Sequence, residues 1–157
     1  MGLDPTPAPN SDSSIGAAIE ELTGAKFGSS GTLSAAALIT EAERSITAKR
    51  VGYSGLMLPV LEDPVLAQRW AEGTYDLDSL LAYSAVCGTG LDAIPLPDEV
   101  SQEQLERIIG DMASLAFKWK KPLTARLIPA PGKRAGDRTD FSFGVAQFPN
   151  TTLRTLP

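Results

Sequence analysis

Apolar residues recur at helical spacing in five stretches of the chain. Ile15, Ile19 and Leu22 form the first stripe, behind a cap at Asp12 or Ser13 and ahead of Gly24. Ala35, Leu38, Ile39, Ala42 and Ile46 form the second, predicting a helix over about Leu33 to Thr47. Asp63-Pro64 is a strong helix start, with proline at the first helical position, and predicts a helix to about Glu72 that stops at Gly73. Asp76 caps a fourth, with Leu77, Leu80, Leu81 and Ser84 on one face and an end near Gly88. Ser101 and Gln104 have capping-box spacing. The helix after them is the clearest, with Leu105, Ile108, Ile109, Met112, Ala116 and Trp119 on one side.

Between the helices lie about four short stretches that read as strands: Lys49–Tyr53, Ala93–Leu96, Leu123–Ile128 and a final alternation of Phe141, Phe143 and Val145. The opening twelve residues are a proline-spaced loop. Cys87 to Asp92 reads as a glycine loop, and Pro129 to Asp140 as a long polar one. Strands alternating with helices predict an α/β fold with a parallel sheet. Four short strands are few for an independent domain of this class.

The 157 residues are one domain's worth, so residues 1–157 are read as a single domain. Two absences exclude chemistry. With no histidine, neither a Ser-His-Asp triad nor a His-based metal site can be built. With one cysteine there is no intrachain disulfide, and a lone thiol fits a reducing, cytoplasmic setting. The uncharged run Val51 to Leu61 is too short to span a bilayer.

Charge is divided between the ends. Residues 1 to 117 hold 17 acids and 6 bases, and residues 118 to 157 hold 2 acids and 8 bases. Aromatic residues for base stacking are not interleaved with those bases. The reading favoured is therefore two halves facing each other, or facing a partner, and no nucleic acid.

Several motifs fail on context. Gly88-Thr89-Gly90-Leu91-Asp92-Ala93 has dinucleotide-fingerprint spacing, but it follows a helix and precedes an extended stretch, the reverse of what the fingerprint needs. Gly132-Lys133 lacks the earlier glycine of a P-loop, where Leu127 stands, and is followed by Arg134. Gly28 to Thr32 is either an anion-binding nest or a plain capping turn, and the latter is commoner.

Three features remain as candidate sites. Cys87 sits where a helix ends, with Gly88 and Gly90 able to bring backbone close to a ligand and Asp92 as an acid, base or cation ligand. Cys87 and Asp92 are the catalytic candidates, ligand binding being favoured over nucleophilic attack. Arg126 is a charge inside a strand and needs a partner or a ligand. In the loop Lys133 to Asp140, Lys133, Arg134 and Arg138 could hold a carboxylate or phosphate, and Asp137 and Asp140 a hard cation. A solvated loop with internal ion pairs explains the same residues.

The motifs also form a recognisable set. Gly2-Leu3-Asp4, Phe27-Gly28 through Gly31-Thr32-Leu33, Val51 through Asp63, Tyr83 through Asp92, Lys121 through Leu127, and Pro131-Gly132-Lys133 with Gly136-Asp137 and Thr139 follow in order. This set resembles the family called domain of unknown function 711, over nearly the whole chain. The resemblance implies part of an α/β barrel similar to that of pyruvate formate-lyase and other glycyl radical enzymes, without implying a reaction. Family members are much longer, and this chain looks like their C-terminal third. Arg50-Val51-Gly52-Tyr53 lacks one residue of the glycyl radical motif and lies far from the C-terminus, so it reads as coincidence.

Taken together, the expectation is a subunit or fragment of an α/β-barrel enzyme acting on a small anionic metabolite. The alternative is a noncatalytic ligand-sensing or structural subunit. A separate N-terminal chain of the same barrel, or a second copy, would cover open strand edges. Residues 87 to 92 are expected at the barrel mouth beside the basic loop. Asp4, Gly88, Gly90, Arg126, Lys133 and Arg138 are expected to bind ligand, and the cofactor is unknown.

Overall fold

The computed structural model describes residues 1–6, 13–142 and 149–156. Five helices and two strands follow in the order α1 (Ile15–Thr23), α2 (Thr32–Ser45), α3 (Pro64–Glu72), α4 (Leu77–Cys87), β1 (Gly90–Pro97), α5 (Gln102–Trp119) and β2 (Thr124–Ala130). No helix among the described residues is long and apolar enough to cross a membrane.

Helix boundaries follow local chemistry. Asp63 caps α3 through the Val65 and Leu66 N–H groups, Pro64 fills the first turn, and left-handed Gly73 ends it. Asp76 with Ser79 and Ser101 with Gln104 make capping boxes at α4 and α5. Ser14 caps α1, in place of the expected Asp12 or Ser13; Asp12 lies outside the described residues. Asp63 does a second job there. Its carboxylate accepts from the Ser14 hydroxyl at 2.8 Å and the Gly16 N–H at 3.3 Å, so one buried acid joins the starts of two helices.

The sheet is smaller than expected. β1 and β2 pair in parallel, and α5 connects them as a βαβ unit. All eight residues of β1 are buried. On its other side β1 accepts Val60 and Leu61 N–H groups at 3.2 Å, through the Asp92 and Ala93 carbonyls. Among the described residues the result is a two-stranded open sheet, fewer than the four short strands expected, and it does not show the expected part of a barrel. The stretch 49–53 makes only a single parallel bridge, Leu3 with Arg50. It cannot continue, because Gly52 (φ +68°) and Ser54 (φ +48°) turn the chain. Phe141 is irregular, and Phe143 and Val145 lie outside the described residues.

The core gathers Ile19, Phe27, Leu56, Leu66, Trp70 and Ile94 with side chains from every helix. Phe27 meets the Tyr75 and Tyr83 rings edge-on at 4.8 and 5.6 Å, and Tyr75 meets Trp70 at 5.5 Å. The Tyr75 hydroxyl donates to the Leu66 carbonyl at 2.8 Å, which makes its burial affordable. Complete burial of each large ring is worth roughly 2–3 kcal/mol.

Helix α2 buries a face rotated from the expected one. In α2 the buried residues are Thr32, Ala35, Ala36, Thr40 and Glu43, while Leu38 is exposed. In α5 the expected face is kept: Ile108 and Met112 are buried, Leu105, Ala116 and Trp119 are half-buried, and of that stripe Ile109 alone is exposed. The period was readable in both helices, but the phase of α2 is set by which neighbour its small side chains admit.

Candidate functional site

β1 carries a bulge. Leu91 pairs with Ala125 and Ile94 with Leu127, so Asp92 and Ala93 together face the single residue Arg126. Ala93 adopts φ +50°, a left-handed conformation in the middle of a strand. The expected loop at 87–92 is thus shorter: Gly90, Leu91 and Asp92 belong to β1, whose backbone hydrogen bonds extend back to Gly90.

Beside the bulge, Arg126 joins two carboxylates. Its Nε donates to Asp92 Oδ1 at 2.5 Å and its Nη2 to Glu62 Oε1 at 2.7 Å. Asp92 is buried, whereas the Arg126 side chain is 48% exposed. Burial pushes the Glu62 carboxyl above its usual range; Arg126 opposes that shift and the Asp92 charge adds to it. Two carboxylates and one guanidinium leave the cluster with one excess negative charge when all are ionised. Such a set can hold a proton on Glu62 while Arg126 stays paired with Asp92. A cavity of about 180 Å³ opens onto all three, bounded also by Thr6, Tyr53 and Thr124.

Asp4 lies next to this cavity and builds its wall. Its Oδ1 accepts from the Thr6 hydroxyl at 2.7 Å, the Thr6 N–H at 3.1 Å and the Ser54 N–H at 3.0 Å. The Thr6 hydroxyl above all lowers the Asp4 carboxyl below its ordinary value. Asp4 thereby pins the Gly52–Ser54 turn, and with it Tyr53.

The two glycines serve packing. Gly88 ends α4 at φ +67°, and a Cβ there would stand 3.0 Å from the Trp119 ring. Gly90, at φ +112°, lies so close to the Thr124 carbonyl that a side chain would collide with β2. Cys87 is buried, with its sulfur 3.0 Å from the Thr89 hydroxyl, and that hydroxyl bonds to the Leu56 carbonyl.

The structure separates Cys87 and Gly88 from the basic loop. They precede β1, whereas the loop follows β2 and its Lys133 carbonyl accepts from Asp98, just past the far end of β1. The eight residues of a parallel strand put those ends about 23 Å apart. Within the loop, Lys133 pairs with Asp140 at 3.0 Å and Asp137 accepts from its own turn, the Arg134 N–H, at 2.7 Å. Arg138 is exposed, and its backbone bridges to Thr152. Among the described residues no group of three His, Cys, Asp or Glu could hold a metal, and Asp137 and Asp140 have these other partners.

Of the candidates read from sequence, the structure brings together Asp92 and Arg126, with Asp4 on the adjoining wall. Sequence reasoning missed Glu62. Its signal was an acid placed directly before the Asp63 cap, at the end of an apolar run, but only the fold turns it toward Arg126.

The chain resembles known proteins along most of its length. The family described as Uncharacterised ACR (DUF711) matches residues 1–142. Proteins called UPF0210 protein are similar over 145 residues: 41% identical in Pyrobaculum arsenaticum, 37% in Desulforudis audaxviator and 34% in Limosilactobacillus reuteri. Each alignment covers 90% of this chain and 32% of the relative, so the chain spans about a third of the length of these relatives. No solved structure matches. The match over residues 1–142, which takes in Asp4, Glu62, Asp92 and Arg126, shows that the chain belongs to the DUF711 family.

Proposed function

We propose that this chain is part of an α/β-barrel enzyme, from the C-terminal side of the family's length, that acts on a small anionic metabolite. Glu62 is its proton-exchanging residue, Arg126 sets the electrostatics, and Asp92 orients Arg126. The observation that carries this reading is the bulge that aims a buried aspartate at Arg126 and Glu62, beside a cavity of about 180 Å³. A strained residue in a strand has to be held by the surrounding structure, and Ala93 is such a residue. The parallel βαβ unit supports the barrel, since further parallel strands can add to its open edge. Those strands come from a separate chain of the same barrel or from a second copy.

The experiment is a thermal-shift screen of the protein, with any chain that co-isolates with it, against small carboxylic and amino acids with and without divalent metals. Turnover of each stabilising compound follows. Glu62→Gln is expected to cut turnover about 100-fold with ligand affinity retained. Turnover equal to the parent overturns the role of Glu62, and stabilisation with no turnover of any compound favours a sensing subunit.

A further inference from the structure

A second cleft, of about 460 Å³, opens on the other elements that meet Tyr53. Arg44 from the end of α2, Arg50 before the pinned turn and Lys121 after α5 all line it, together with Thr40, Ser54 and Cys87. None of the lining residues is acidic. That is unexpected in a chain with 19 acids against 14 bases. Lys26, Arg69, Arg126 and Lys133 all have carboxylates within 3.0 Å. Arg44, Arg50 and Lys121 have no ion pair among the described residues.

One of the three is already held in place. The Arg44 guanidinium lies 4.3 Å from the centroid of the Trp119 ring. Trp119 is in turn fixed by its indole N–H, which donates to the Ser84 carbonyl at 3.2 Å, and by its packing over Gly88. Stacking on an aromatic face leaves the edge of a guanidinium free for a planar or tetrahedral oxyanion. Three like charges around one opening repel one another, and a bound anion reverses the sign of that interaction.

We propose that this cleft binds the oxyanion end of a small metabolite carrying at least two negative charges, a phosphate ester or a dicarboxylate, with Trp119 as the positioning residue for Arg44. The assignment rests on the reading of an anionic metabolite given above, and it supplies the positive charge that the Asp92–Arg126–Glu62 cluster lacks. Tyr53 lines both cavities, so a ligand anchored here has its remainder directed toward a shared wall.

Calorimetric titration of the protein with inorganic phosphate and, separately, with succinate tests the site. At least one of the two is expected to bind, and whichever binds more tightly identifies the class of oxyanion. Arg44→Gln and Lys121→Met are each expected to weaken it about tenfold, and Arg44→Lys by less. Trp119 fluorescence is expected to change on binding and to lose that response in Trp119→Phe, whose affinity falls as Arg44 loses its support. Absence of binding by both anions, or undiminished affinity in the Arg44→Gln, Arg50→Gln, Lys121→Met combination, overturns the proposal. Circular dichroism of each variant separates misfolding from lost binding. Glu62→Gln is expected to leave phosphate and succinate affinity unchanged. If the anion binds while turnover ignores Glu62, the acid–base reading fails and this site stands. If turnover needs Glu62 while neither anion binds, this site fails alone.

Discussion

The ring of Trp119 closes over Gly88: a Cβ at Gly88 would lie 3.0 Å from two atoms of the indole. The same residue ends α4 in a left-handed conformation, so two separate costs meet at one position. Gly24 ends α1 with the same φ of +67° and has nothing within 4 Å of its missing Cβ.

That pair separates the costs. Gly24→Ala is expected to destabilise by about 1 kcal/mol, the price of the backbone alone. Gly88→Ala is expected to cost about 2–3 kcal/mol, because the indole must also shift. Urea denaturation midpoints check both. Equal losses would mean that Trp119 yields freely and does not position Arg44.

Asp63 and Asp76 both cap helices, but Asp63 is buried and also holds Ser14 and Gly16 of the neighbouring helix start. Asp63→Ala leaves four donors without their acceptor, whereas Asp76→Ala exposes its donors to water. The expected losses are about 3 kcal/mol at Asp63 and about 1 kcal/mol at Asp76. Denaturation of the two variants under one condition measures the difference, and a loss at Asp63 no larger than at Asp76 would show that α1 and α3 are not joined there.

Glu43 is 8% exposed, and its Oε2 has no hydrogen-bond partner among the described residues. Burial, and to a lesser extent the charge of Asp4, pushes its carboxyl above the usual range. The folded chain therefore binds this proton more tightly than the unfolded chain. Its contribution to stability is full below the ordinary carboxyl range and is lost as pH rises through the raised value. Glu43→Gln is expected to flatten that fall and to stabilise the protein at neutral pH by about 1 kcal/mol. Melting temperatures between acid and neutral pH test this, and an unchanged slope would place the titration on another group.

Some of this protein was legible in its sequence because the deciding interactions are local. Asp63-Pro64 with Gly73, Asp76, and Ser101 with Gln104 each place a donor and its acceptor within a few residues, so the limits of α3, α4 and α5 follow from spacing alone. The same holds for the rejection of the dinucleotide fingerprint, since Gly88 and Gly90 follow a helix whatever the fold. Arg126 was also readable as a charge that needed a partner in a strand.

Only the tertiary structure decided which partners those residues met. Period tells that α2 is amphipathic, but its phase depends on the neighbour packed against it, so Leu38 faces outward while Ala36 faces the core. A strand needs a partner to exist, and residues 49–53 find one bridge before Gly52 and Ser54 turn the chain. Glu62 reaches Arg126 across 64 positions of sequence, and Arg44, Arg50 and Lys121 converge from three separate segments. No spacing rule connects residues so far apart. Their meeting is fixed by core burial and chain closure, which set distances that side-chain chemistry then uses.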